Sequence, residues 1–139
     1  KTLGLLYPGS QNSAISFLMV QYFKSHEWIA EKGDSVYQMG ISQYACDQLG
    51  DIVFVEAKDD GEVYDQADSL TILESVKAVG DIYAPFKAKL ISTNQEAVNS
   101  PEEITAKTWI VEISSVDGIN FDDLDTMNSA EYDDYLETL

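Results

Sequence analysis

Short runs of apolar residues, several of them alternating with polar ones, dominate this chain, and Gly, Asp, Asn and Ser gather between them. Glu27–Glu31 and Ser35–Ile41 read as strands joined at Lys32-Gly33-Asp34, a hairpin turn. Ser42 can cap a short helix that runs through Leu49 and stops at Gly50. Asp51–Glu56 is a nearly continuous apolar strand, and Lys58-Asp59-Asp60-Gly61 is a turn. Ser69–Glu74 and Asp81–Ala84 are β-branched or aromatic runs with a very short connection, which predicts a tight hairpin. Phe86–Ser92 alternates Phe86, Ala88 and Leu90 with Lys87 and Lys89. Ser100-Pro101-Glu102-Glu103 has the cap, proline and acids of a helix start. Thr108–Ile113 reads as a strand with Trp109, Val111 and Ile113 on one face. Ser129 is the expected cap of a final helix carrying Tyr132, Tyr135, Leu136 and Leu139 at helical spacing. Many short strands with accessory helices predict a mainly β fold, a small sandwich or flattened barrel.

The connection Glu74-Ser75-Val76-Lys77-Ala78 places Lys77 at or near the tip of the tight hairpin. Val76, Ala78 and Val79 around it carry no charge to pair with its ammonium. An isolated turn lysine only solvates a turn. A lysine held out on a rigid hairpin also offers an enzyme a fixed, reachable amine.

Charge changes the picture of partners. The 139 residues hold 25 acids against 8 basic residues, all lysine, for a net charge of −17. Nucleic acid and anionic membranes are excluded as natural partners, and proteins with basic docking surfaces are favoured. Residues 1–26 contain no acid, only Lys1 and Lys24, so composition shifts near Ser25. This leading stretch, with Ser10, Ser13 and Ser16, faintly resembles an organelle targeting segment without its arginines. The expected division is therefore an extension over 1–24 and one domain over 25–139. Ala14–Val20 is too short to span a bilayer.

Candidate chemistry is otherwise sparse. Cys46 is the single cysteine, which rules out an intrachain disulfide and fits a reducing compartment. It reads as a small buried residue in a short helix. No CxxC, HExxH or glycine-rich phosphate loop is present, so neither a metal site nor a catalytic group is expected. Trp28 and Trp109 read as packing residues, and so does His26.

Three segments together resemble the H protein family of the glycine cleavage system. Ser25-His26-Glu27-Trp28 is similar to its first motif. Gly40-Ile41 followed by Leu49-Gly50-Asp51-Ile52-Val53-Phe54-Val55-Glu56 is similar to its second. Glu74 to Ala78 with Asp81, Ala84 and Pro85 resembles its lipoyl-attachment segment. Biotin carriers differ by Met on both sides of the lysine; lipoyl domains of 2-oxo-acid dehydrogenases differ by Asp before it. The resemblance implies a barrel-sandwich hybrid of the lipoyl-domain type, and a carrier rather than an enzyme. It implies lipoate joined to Lys77 by an amide, with Glu74 recognised during attachment by a lipoate-attaching enzyme. The P protein would load an aminomethyl group on the arm, the T protein would take its carbon, and the L protein (dihydrolipoamide dehydrogenase) would reoxidise the arm. Ser25, Glu27 and Asp81 would lie near the loaded amine in a cleft. A monomer in the mitochondrial matrix or a related organelle is implied, with the bacterial cytoplasm as the alternative.

The chain departs from the family at Tyr44, where histidine is frequent, and at Ala88, eleven residues after the lysine, where glycine is usual. Ala88 is expected to require backbone adjustment. The segment before Trp109 is shortened to Lys107-Thr108. These departures keep two other readings open: a lipoyl relay or redox carrier serving 2-oxo-acid dehydrogenases or a peroxide-reducing system, and an unmodified binding module.

Overall fold

The computed structural model describes residues 20–139. Ser10, Ser13, Ser16 and most of the 1–24 extension lie outside the described residues. Strands β1 (Gln21–Tyr22), β2 (Glu27–Gly33) and β3 (Val36–Ile41) run antiparallel in sequence. Helix α1 (Gln43–Leu49) leads into β4 (Ile52–Ala57) and the short β5 (Val63–Tyr64). The lysine hairpin is β6 (Ser69–Ser75) and β7 (Val79–Tyr83). Then come β8 (Ala88–Thr93), α2 (Gln95–Asn99), a 3-10 turn at Pro101–Glu103, β9 (Val111–Ser115), a second at Phe121–Asp123, and α3 (Ser129–Leu136).

Two sheets form. One has the order β1-β2-β3-β9-β8-β5, the other β4-β6-β7. Every strand pair is antiparallel. The inner faces meet through Ile29, Met39, Leu90, Val111 and Ile113 from the first sheet and Val55, Leu70, Leu73 and Ile82 from the second, all buried. Burying a side chain of this size stabilises by about 1.5–3 kcal/mol relative to exposure. The mainly β sandwich with short helices is thus the expected fold.

Strand β1 precedes Ser25 and pairs Gln21 with Ile29 and Tyr22 with Trp28. Tyr22 also exchanges both backbone hydrogen bonds with Met127 at 2.8 Å, drawing the C-terminal segment alongside. Gly40 explains part of its motif: a Cβ there would stand 2.5 Å from the Trp28 ring and 2.6 Å from the Thr108 carbonyl oxygen. The Trp28 indole N–H donates to the Ala106 carbonyl at 2.9 Å, so this tryptophan is a packing residue as expected. Trp109 is only half-buried.

Several expected boundaries move. The helix near residue 100 lies upstream, at Gln95–Asn99, because the Asn94 side chain caps the Glu96 N–H at 3.1 Å. Ser100 makes no side-chain cap, and Pro101–Glu103 completes a single 3-10 turn. The strand expected from Thr108 starts at Val111, since Ile110 is spent bridging the Met39 carbonyl and the Asn94 N–H. Asn128, not Ser129, caps α3, through a reciprocal pair of bonds with Glu131, and Leu139 falls beyond its end. Ala88 pairs regularly with Tyr64 and Ser115 and is not among the residues with positive φ, so the backbone adjustment expected there is not needed.

Candidate functional site at the hairpin lysine

The tip between β6 and β7 is fixed locally. The Ser75 N–H donates to the Ala78 carbonyl at 2.8 Å, and Ser75 Oγ accepts from the N–H groups of Lys77 (3.3 Å) and Ala78 (3.0 Å). Lys77 is exposed at this tip. Its stem passes over Gly50, where a Cβ would come within 3.2 Å of Lys77 Cε. Gly50 has φ +74°, so glycine ends α1 and leaves the track free for the lysine.

Beyond Gly50 lies a cleft of about 150 Å³. Its apolar lining comes from Ile41, Ala45, Leu49 and Leu73; its polar lining comes from Ser25, His26, Glu27, Tyr44, Gln48 and Asp81. Helix α1 supplies one wall. Ser42 Oγ caps it, accepting the Ala45 N–H at 3.1 Å, and the i, i+4 pair Ala45 and Leu49 faces inward. Strand β7 supplies Gly80, close to Leu49, and Asp81 on its edge. The sequence-predicted Ser25, Glu27 and Asp81 therefore converge on one cleft. Glu74 does not line it. It sits on the three-stranded sheet between its cross-strand neighbours Phe54 and Val79, which are 50% and 65% exposed.

Glu27 is 3% exposed. Burial pushes its carboxyl above the usual carboxylate range, against the opposing pull of the Ser25 hydroxyl and of the backbone N–H groups of Glu27 itself and Tyr83. Ser25 Oγ–H donates to Glu27 Oε1, and the Tyr83 N–H reaches Oε2 at 3.5 Å. A buried carboxylate without a cation favours any ammonium delivered to it.

His26 and Tyr44 are stacked at a tilt with centroids 4.4 Å apart. Behind them, the Tyr132 hydroxyl lies 2.7 Å from both His26 Nδ1 and Ser42 Oγ. One arrangement satisfies every group: Ser42 donates to Tyr132, and Tyr132 donates to a neutral His26. Burial lowers the His26 pKa, which agrees with a neutral ring. Sequence spacing predicted a packed Tyr132 but could not show that it clasps the cleft wall from 106 residues away. Ser75 was missed too; a small hydroxyl at a tight turn was its only signal. Cys46 is half-buried rather than buried, and burial raises its thiol pKa, so it is a poor nucleophile.

The site suits a lipoyl group. The glycine track accepts the lysine stem, the apolar cleft suits an alkyl chain, and the carboxylates at its end suit an amine. A lysine presented on a β-sandwich hairpin beside a sheltering cleft defines a swinging-arm carrier. A profile of the glycine cleavage H-protein family matches residues 20–138. The chain is 40% identical over 121 residues to the protein named "Probable glycine cleavage system H protein 1, mitochondrial" of Dictyostelium discoideum, covering 84% of this chain and 82% of that one. It is 37% identical over 112 residues to the glycine cleavage system H protein of Ralstonia nicotianae, covering 81% and 88%. The crystal structure of a glycine cleavage system H protein from Mycobacterium marinum superposes with a TM-score of 0.72 at 26% identity, covering 86% of this chain and 97% of that one. The chain belongs to the glycine cleavage H-protein family. It is a lipoyl-carrying shuttle of the glycine cleavage system, a carrier and not an enzyme, and its family works with the glycine cleavage enzymes. Lipoate on a lysine is the family's cofactor.

Proposed function

We propose that Lys77 is the lipoyl lysine and that the cleft of Ser25, Glu27 and Asp81 shelters the arm. The observation that carries this is the lysine stem lying over Gly50, the residue that follows the cleft-lining Leu49. When bound, lipoate supplies a dithiolane that accepts the aminomethyl group and two electrons. The chain's own residues bind and orient. Ser75 holds the tip, Leu49 and Leu73 exclude water, and Glu27 and Asp81 offer negative charge to the ammonium. The approach of that cation also favours the ionised form of Glu27 that burial disfavours. Glu74, between exposed Phe54 and Val79, is the feature a lipoate-attaching enzyme reads beside the lysine. P protein loads the arm, T protein unloads it, and L protein reoxidises it. The working form is a monomer of residues 25–139 with its flanking strand β1, in the mitochondrial matrix or, for a bacterial source, the cytoplasm. Residues ahead of β1, within the 1–24 extension, contribute any targeting segment.

Lys77→Arg tests the assignment. The variant keeps the charge and, being exposed, unfolds at the same urea concentration as wild type. Intact mass after exposure to a lipoate-attaching enzyme shows the lipoyl increment on wild type alone. A lipoyl increment on the variant moves the site to another lysine.

A further inference from the structure

Among the described residues a second hollow is larger than the cleft near Lys77. It encloses about 760 Å³ and shares Ser25 and Glu27 with the arm cleft. Glu27 therefore stands in the wall between two hollows. Among the described residues, its side chain accepts hydrogen bonds from the Ser25 hydroxyl and, at a long 3.5 Å, from the Tyr83 N–H. Among the described residues the ion pairs are Lys32–Glu112 and Lys58–Glu56, so this buried carboxylate has no cation. Lys24 lines the larger hollow, yet its ammonium lies 5.8 Å above the Tyr135 ring and forms no ion pair there.

The lining also brings apolar Phe23, Ala84 and Leu124 together with Asp123 and Asp125, both exposed. Apolar walls beside carboxylates fit the stem and head of a long basic side chain. Arginine fits best, because its planar fork can bond a carboxylate oxygen and is less costly to desolvate than an ammonium. A bare metal ion gains nothing from apolar walls, and no metal-holding group of acids, His or Cys occurs among the described residues. The surrounding charge of −17 draws a basic protein surface toward the site.

We propose that the larger hollow is a docking pocket for an arginine side chain of the enzyme that takes over the loaded arm. The proposal rests on the reading of Lys77 and its cleft given above. Because Glu27 faces both hollows, docking reaches the arm. A carboxylate shared by two cations holds each less tightly, since the cations repel one another. The partner's arginine thus loosens the arm's ammonium as the partner arrives.

Two variants of the full lipoylated chain test this: Asp123→Asn with Asp125→Asn, which removes the rim charge, and Gln66→Trp, which fills the mouth from an exposed lining position. Asp59→Asn with Asp60→Asn is the control, removing the same charge from an exposed turn elsewhere. The readouts are KM and kcat for T protein, and ammonia and formaldehyde release from the isolated loaded carrier. Both pocket variants raise KM by roughly fivefold or more, while the control stays near wild type and isolated release is unchanged. Unchanged KM in both variants overturns the pocket, and so does an equal rise in the control, which would make the attraction diffuse. Intact mass separates the two levels: a wild-type chain that accepts no lipoate sinks the lipoyl reading and this one with it.

Discussion

Tyr132→Phe isolates the clasp behind the cleft, because it removes one oxygen and leaves the ring stacked on Tyr22, whose centroid is 4.5 Å away. Two hydrogen bonds of 2.7 Å disappear. Ser42 is buried, so its hydroxyl proton loses its partner, though its oxygen still caps Ala45. His26 is only half-buried and can turn its nitrogen to water. One bond is therefore lost at the full cost of a buried donor and the other more cheaply, for about 2 kcal/mol in all. For a domain of this size that corresponds to a melting temperature lower by roughly 6–8 °C. Urea unfolding should show a lower midpoint with an unchanged slope. Adding Ser42→Ala separates the contributions: the pair should couple by about 1 kcal/mol, because the second removal finds the bond already gone. The cleft should respond as well, with faster loss of the loaded group at unchanged lipoylation. A stability loss under about 0.5 kcal/mol, with purely additive effects of the two substitutions, would refute the clasp.

Other expectations concern charge, turn and packing. The Glu27 pKa is raised on folding, so Glu27 stabilises the fold most below its unfolded value near 4.5, and that contribution is lost as pH rises through the folded value. Glu27→Gln should accordingly gain stability relative to wild type at neutral pH, with the gain vanishing in acid; urea midpoints across pH check the sign. Ser75→Ala should leave the global midpoint within about 0.5–1 kcal/mol but speed amide exchange at Lys77 and Ala78 and slow lipoyl attachment. Gly40→Ala should cost about 2 kcal/mol or more, because Trp28 and the Thr108 carbonyl cannot both give way; a near-wild-type melt would contradict this.

The lysine hairpin was legible because everything that makes it lies within Ser69–Tyr83, and the alternation and short connection report it directly. The α1 boundaries were legible for the same reason: Ser42 and Gly50 act within one helix. The position of the helix near residue 100 was not, because Ser100 carried the local start signal while Asn94, six residues upstream, caps the Glu96 N–H and is itself held by a bond to the distant Trp109 carbonyl. The convergence of Ser25, Glu27 and Asp81 came from resemblance rather than pattern, since no local rule relates residues more than fifty apart. The second hollow was invisible: it joins Phe23, Ala84 and Leu124, each of which reads alone as ordinary packing.

The placement of β9 has a consequence for the order in which the molecule is made. The three strands of the sheet that carries Lys77 all come from within Ile52–Tyr83, with only the two-residue β5 of the other sheet between them. The other sheet inserts β9 between β3 and β8, so its middle is missing until residues 111–115 have left the ribosome. The clasp arrives later still, with Tyr132. Local strand pairings close early and distant ones late. The nascent chain therefore displays its lysine hairpin before the clasped cleft is finished; with Lys77 as the proposed lipoyl lysine, readiness for modification precedes the ability to protect what the arm will carry.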